Sequence, residues 1–181
     1  SGRLTFALAT YAKKVVGIDI SEASIEKAKS IAGEKRTENV EFQVADAEAI
    51  EYNEFLGGDI DVVTANLCMS SEIIIKSSKA LKKGGPFAFV CFQSDQLKEI
   101  GGSGFSFDED EMRRLLETSG FIVEHFDVEK WTLDLPEKEI IEKEYRNYPW
   151  AVRRWDKLMS YFEKGGRTLS QGRLLVKARK M

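Results

Sequence analysis

Two carboxylates carry most of the chemical information in this chain. Asp19 closes the apolar run Val15-Val16-Gly17-Ile18 and is followed by Ile20; Asp46 follows a second run, Val40-Glu41-Phe42-Gln43-Val44-Ala45, and is followed by Ala47 and Glu48. Each run reads as a buried strand that breaks into acid at its carboxyl end. In an open parallel sheet that edge is where loops and helix starts converge on ligands. A carboxylate at the first tip suits the vicinal hydroxyls of a ribose, and one at the second suits the exocyclic amine of an adenine lying across the neighbouring strand. Gly2 precedes Asp19 by about the interval, roughly 20 residues, that separates a glycine turn from a ribose acid in nucleotide-binding units. It leads into an apolar pattern at Leu4, Leu8 and Tyr11, as expected where a backbone turn approaches a cofactor at a helix start. Gly2, Asp19 and Asp46 together describe a site for a nucleoside.

Further signatures follow in a fixed order. After Asp19 and Ala45-Asp46-Ala47-Glu48 come a strand ending at Asn66, the run Leu81-Lys82-Lys83-Gly84-Gly85 before another strand, and Leu115-Leu116-Glu117-Thr118-Ser119-Gly120-Phe121 before a further one. In these features the chain resembles the class I S-adenosylmethionine-dependent methyltransferases, and Ser1-Gly2 looks like the last two positions of that family's Gly-x-Gly-x-Gly loop. The resemblance implies an α/β fold: a doubly wound, mostly parallel Rossmann-like sheet with an antiparallel C-terminal strand. It implies S-adenosyl-L-methionine as cofactor, held by Gly2, Asp19, Ile20, Asp46, Ala47 and Asn66, and no metal. Leu67, Trp150 and Trp155 are the expected acceptor-side residues. The family's first strand and first two loop glycines have no counterpart here, so the resemblance implies a chain truncated before Ser1. The strands around 15–20 and 60–66 would then each lose a ladder partner, leaving unpaired backbone groups, and cofactor binding would suffer.

The elements needed to position these residues are legible as an alternation. Ser21 can cap a helix carrying Ile25, Ala28, Ile31 and Ala32 at helical spacing, with Glu22 in its first turn. Gly57-Gly58 marks a turn before a strand over 60–66. A helix over 71–83 should end at Gly84, and 87–92 reads as a strand buried on both faces. Asp108 and Glu111 form a reciprocal cap on a helix burying Met112, Leu115 and Leu116. Strand and helix in alternation imply a parallel sheet with helices on both sides.

The last third departs from that alternation. Between a strand over 121–133 and a last one over 173–179 lies a helical insertion, about 136–166, rich in aromatics: Tyr145, Tyr148, Trp150, Trp155, Tyr161 and Phe162. Pro149 should split it into two helices, the second presenting Ala151, Trp155, Leu158 and Phe162 on one face. Such a stripe usually packs as core; the functional alternative is a lid that keeps water from the reacting atoms. The C-terminal strand alternates Leu174, Val176 and Ala178 with Arg173, Leu175, Lys177 and Arg179, the pattern of a strand with one wetter face. With Arg153, Arg154, Lys157 and Arg167 these cations could touch an RNA, but a solvated face explains them better. Gly101-Gly102-Ser103-Gly104 lacks a P-loop ending and reads as a flexible loop.

The chain has 181 residues, 43% of them hydrophobic, enough for one substantial core and a single domain over 1–181. Residues 1–93 would form its cofactor-binding half and 94–181 its acceptor-side half. A net charge of −3 and a pI of about 5.4 supply no field to draw the chain onto nucleic acid. Cys68 and Cys91 lie in apolar stretches without metal-type spacing and read as buried, reduced thiols. No run approaches the roughly 18 apolar residues of a membrane span, and no secretory leader is visible, so a cytoplasmic enzyme is expected.

Methyl transfer asks little of side-chain chemistry, because in-line alignment of acceptor, carbon and sulfur in a closed pocket contributes through proximity up to about 7–11 kcal/mol. The sole histidine, His125, falls mid-strand and reads as structural. Asn66 is followed by Leu67-Cys68-Met69 rather than the Pro-Pro-Tyr/Phe of enzymes that methylate amino groups, which favours a small-molecule acceptor. Two competitors remain. A nicotinamide-dependent short-chain dehydrogenase should carry Tyr-x-x-x-Lys, and no tyrosine here has lysine four residues on. A non-catalytic cofactor-binding or scaffold subunit meets no veto in the sequence.

Overall fold

The computed structural model of the chain describes residues 2–181; Ser1, half of the glycine-loop remnant expected from the sequence, lies outside the described residues. Strands and helices alternate through the first two-thirds of the chain. Helix α1 (Arg3–Ala9) precedes β1 (Val15–Asp19), α2 (Glu22–Lys35) leads to β2 (Val40–Val44), and α3 (Tyr52–Leu56) precedes β3 (Val63–Asn66). Helix α4 (Ser71–Ala80) is followed by β4 (Pro86–Gln93), the short β5 (Ser106–Phe107), α5 (Glu109–Thr118) and the long β6 (Phe121–Asp134). Then come α6 (Lys138–Glu144), α7 (Pro149–Val152), α8 (Trp155–Glu163) and β7 (Thr168–Lys180).

The ladder has two parts. β1 and β2 pair in parallel as a two-stranded sheet, while β3, β4, β7 and β6 lie in that order in a second sheet, with β5 on β4. β3 runs parallel to β4, and β7 runs antiparallel to both β4 and β6. The result is the mixed, Rossmann-like α/β architecture with a reversed C-terminal strand. β1 and β3 do not pair with each other, so each carries one edge without a ladder partner among the described residues.

Local signals explain most boundaries. The Ser21 hydroxyl accepts from the Ser24 amide at the start of α2, Ser70 from Ile73 at α4, and Asp108 from Glu111 at α5, each satisfying an otherwise orphaned amide. Only the Asp108 half of the expected reciprocal cap is made. Three sequence expectations need correction. Helix α4 stops at Ala80, short of Gly84, because Leu81 turns extended, becomes 5% exposed and bridges to Ile60. That bridge replaces the first residues of the expected 60–66 strand, which starts at Val63. On α1, Leu4 is 40% and Tyr11 91% exposed; Phe6 faces inward instead and meets Phe42 at 5.4 Å between ring centroids. Gly17 lets α1 approach, since a Cβ there would lie 2.6 Å from the Thr5 hydroxyl.

Burial is divided among three clusters. The largest gathers Met69, Ile73 and Ile74 with Phe87, Phe89, Met112, Leu116, Phe121, Leu174 and Val176 between α4, α5 and the larger sheet. A small one joins Ile25, Ala28 and Phe42 across α2 and β2. The third holds the insertion: Ile141, Ala151 and Leu158 pack on Leu97, Ile100, Leu135 and Leu169. Pro149 begins α7 as expected, but the stripe is broken at Arg153–Arg154, so Ala151 and Trp155 stand on separate helices. At the break Arg154 leaves helical geometry with φ −125° and ψ 21°, and its guanidinium donates to the Gly102 carbonyl at 2.9 Å.

Candidate nucleoside site at two adjoining strand tips

The parallel register sets Asp19 beside Val44, and the Ala45 amide donates to the Asp19 carbonyl at 3.1 Å. The ends of β1 and β2 are thereby tied together, with Asp46 one residue beyond the tie. Both acids use one oxygen locally. Asp19 Oδ1 accepts from the Ser21 amide at 2.9 Å, which turns the chain into α2; Asp46 Oδ1 accepts from the Glu48 amide at 2.9 Å, which closes its own turn. The Asp46 carbonyl accepts from the amides of Ala49 and Ile50 at 3.0 and 3.2 Å. Both side chains are exposed, and the second oxygen of each carries no hydrogen bond or ion pair among the described residues. Ile20, 71% exposed, stands beside Asp19 as an apolar surface suited to a planar base.

Gly2 sits at the N-terminus of α1 with φ 68°, the left-handed conformation glycine adopts without cost. Its carbonyl accepts from Phe6, and a Cβ on it would come within 2.8 Å of the Phe42 ring. It therefore faces the same small cluster that backs β1 and β2. A cavity of about 50 Å³ lies here, lined by Gly2, Thr5, Gly17, Asp19, Ser24 and Phe42 among others. The volume holds little more than a water and is no substrate pocket.

Asn66 ends β3 exposed, and Leu67 after it has φ 58°. A branched side chain in the left-handed region is strained, and the sharp turn is held by the Leu67 amide donating to the Val90 carbonyl at 2.7 Å. The expectation that Cys68 is buried is corrected: as a residue it is exposed. Its sulfur is nonetheless shielded, and this burial pushes the thiol pKa up, helped by the negative charge of Asp19 and opposed by a backbone hydrogen bond at Asn66. Cys91 is buried as expected, and desolvation pushes its thiol to about 12. Trp150 and Trp155 belong to the insertion's core. Trp150 packs edge-on to Tyr145 at 5.7 Å, and Trp155 lies under the Arg146 guanidinium at 4.6 Å. The site residues thus fall at the tied tips of β1 and β2, at the tip of β3 and in the insertion.

One residue near the first group escaped the sequence reading. Tyr52 is 6% exposed, and its hydroxyl donates to the Ala47 carbonyl at 3.0 Å. A lone tyrosine among acids has no periodicity to flag it; only tertiary burial shows what it holds.

The free acid oxygens, the exposed Ile20 and the tied strand tips fit an adenosine moiety. The sequence model for the methyltransferase domain family matches residues 1–166. Among solved structures, a protein of Bacillus halodurans C-125 superposes with a TM-score of 0.72 at 20% identity, over 99% of this chain and 88% of that one. An S-adenosylmethionine-dependent methyltransferase from Methanosarcina mazei gives 0.61 at 17% identity, over 99% and 88%. Geranyl diphosphate C-methyltransferase from Streptomyces coelicolor A3(2), in complex with Mg2+, geranyl diphosphate and S-adenosyl-L-homocysteine, gives 0.60 at 14% identity, over 100% and 68%. At these identities the superpositions speak for the fold, and the match over most of the length speaks for descent: the chain belongs to the methyltransferase domain family, the S-adenosylmethionine-dependent methyltransferases of class I fold.

Proposed function

We propose that this protein transfers a methyl group from S-adenosylmethionine to a small-molecule acceptor by in-line displacement. The observation that carries the reading is the pair of exposed acids, Asp19 and Asp46, at tips joined by the Ala45-to-Asp19 backbone bond, each with one oxygen locked locally and one open. A carboxylate so held keeps its orientation without spending both lone-pair faces, which suits it to hydroxyl and amine donors. Asp19 would take the ribose hydroxyls, Asp46 the adenine amine and Ile20 a face of the base; Ala47 and Gly2 would supply backbone, and Asn66 would meet the methionine end.

When bound, the sulfonium supplies an electrophilic methyl group and a neutral leaving sulfur. The chain's own contribution is alignment and exclusion of water. Leu67, held in its strained turn at the tip of β3, and the half-buried Trp150 and Trp155 are the candidate acceptor-side residues. The S. coelicolor neighbour is a geranyl diphosphate C-methyltransferase, which supports a small-molecule acceptor. The acidic net charge counts against nucleic acid, and no helix among the described residues is long and apolar enough to cross a membrane. A cytoplasmic enzyme with one catalytic domain, its cofactor half in 1–93 and its acceptor half in 94–181, completes the reading.

Calorimetric titration with S-adenosyl-L-homocysteine and, separately, NAD tests it. Binding of the first alone is expected, weakened by the unpaired edges of β1 and β3; binding of NAD alone would overturn the assignment, and binding of neither would favour a scaffold role. Screening acceptor pools for cofactor turnover would then identify the substrate.

A further inference from the structure

The loop carrying Asp46 is anchored from outside by one side chain. Within the loop, the Asp46 carboxylate and carbonyl close a tight turn over Glu48, Ala49 and Ile50. From outside, the Tyr52 hydroxyl reaches back to the Ala47 carbonyl at 3.0 Å, fixing the residue next to Asp46. The phenol is well placed to do this. Its ring is 6% exposed, it starts α3, and the preceding Glu51 is bonded at 2.6 Å to Lys76 of α4, itself 6% exposed. Ala47 packs against the large core, so loop, phenol and core form one continuous contact.

The hydroxyl also remains a donor throughout the working pH range. Burial, with the Cys68 thiol nearby, pushes its pKa to about 12; the buried Ser77 hydroxyl offsets part of the rise without reaching hydrogen-bond geometry. A neutral phenol keeps its proton for donation, here to the Ala47 carbonyl.

We propose that Tyr52 is a positioning residue for base recognition: by holding the Ala47 carbonyl it aims the open oxygen of Asp46 at the amine of the purine. This rests on the adenosine reading of Asp19 and Asp46. Removing the hydroxyl frees the loop to rotate about Ala47, and the loss should appear only for ligands that need Asp46 as an acceptor.

The test compares S-adenosyl-L-homocysteine with its inosine counterpart, in which an oxo group replaces the amine, by calorimetry on the wild type, Tyr52→Phe, Asp46→Asn and the double variant. The wild type should prefer the adenine ligand. Tyr52→Phe should weaken adenine binding about five- to tenfold, the weight of one neutral hydrogen bond, and leave inosine binding within about twofold. In the Asp46→Asn background the same change should cost nothing further. Hydrogen exchange should show faster amides over 47–50 in Tyr52→Phe without ligand. Equal weakening of both ligands, or full additivity of the two substitutions, would overturn the proposal and leave Tyr52 a packing residue. A wild type that binds both ligands well but without preference would overturn it too, while a wild type that binds neither would instead bring down the adenosine reading on which it rests.

Discussion

Replacing Asp19 by asparagine separates the acid's two jobs. Oδ1 accepts from the Ser21 amide at 2.9 Å, and an asparagine carbonyl can keep that bond and the turn into α2. What disappears is the negative charge on the open oxygen. Hydrogen bonds to a charged acceptor contribute about 1.5–3 kcal/mol each, against about 0.5–1.5 for neutral ones. Exchanging two bonds to a ribose diol for at most one neutral bond therefore costs about 2–4 kcal/mol, or roughly 30- to 1,000-fold in Kd. Stability should move by less than about 0.5 kcal/mol, since the side chain is exposed. Asp19→Ala removes the acceptor for Ser21 as well and should lower stability by about 1 kcal/mol more. The assay is calorimetric titration of S-adenosyl-L-homocysteine into both variants, with urea unfolding in parallel. A Kd for Asp19→Asn within threefold of wild type, in a protein of unchanged stability, would refute the assignment of Asp19 to the ribose.

Three further outcomes are expected. Phe87 is 0% exposed and lies between Phe89 and Phe121 at 4.8 and 5.1 Å, so Phe87→Ala should cost about 3–5 kcal/mol in urea unfolding; a cost below 1 would contradict the packing. Tyr52 holds its proton to about 12 in the folded chain but releases it near 10 when unfolded. Stability from this group is therefore complete below pH 10 and declines as pH climbs toward 12; urea midpoints should fall over that interval, and less so in Tyr52→Phe. In native hydrogen exchange of the 181-residue chain, amides of β7, which is paired on both sides, should outlast those of β1 and β3 that point to unpaired edges; equal protection would mean those edges are covered.

The sequence by itself determined the elements and the chemistry at their ends. Apolar runs ending in Asp19 and Asp46, the serine and aspartate caps and the antiparallel C-terminal pattern are short-range properties, written in spacing and side-chain type, and the ladder and caps follow them, although of the two runs only Phe42 is buried. The family was legible as well, in the order of those signatures, and the family model matches residues 1–166. What only the tertiary structure decided depends on partners distant in sequence. Leu81 leaves its helix for a place beside Ile60 that no local propensity specifies. Phe6 turns inward because Phe42 waits across a glycine, while Tyr11, equally apolar by pattern, finds no partner. Arg154, where the aromatic stripe breaks, reaches a carbonyl 52 residues away. Tyr52 shows its role only once the loop it holds is folded over it. Periodicity records which face a residue prefers, whereas burial depends on what the rest of the chain brings to that face, and that is decided in three dimensions.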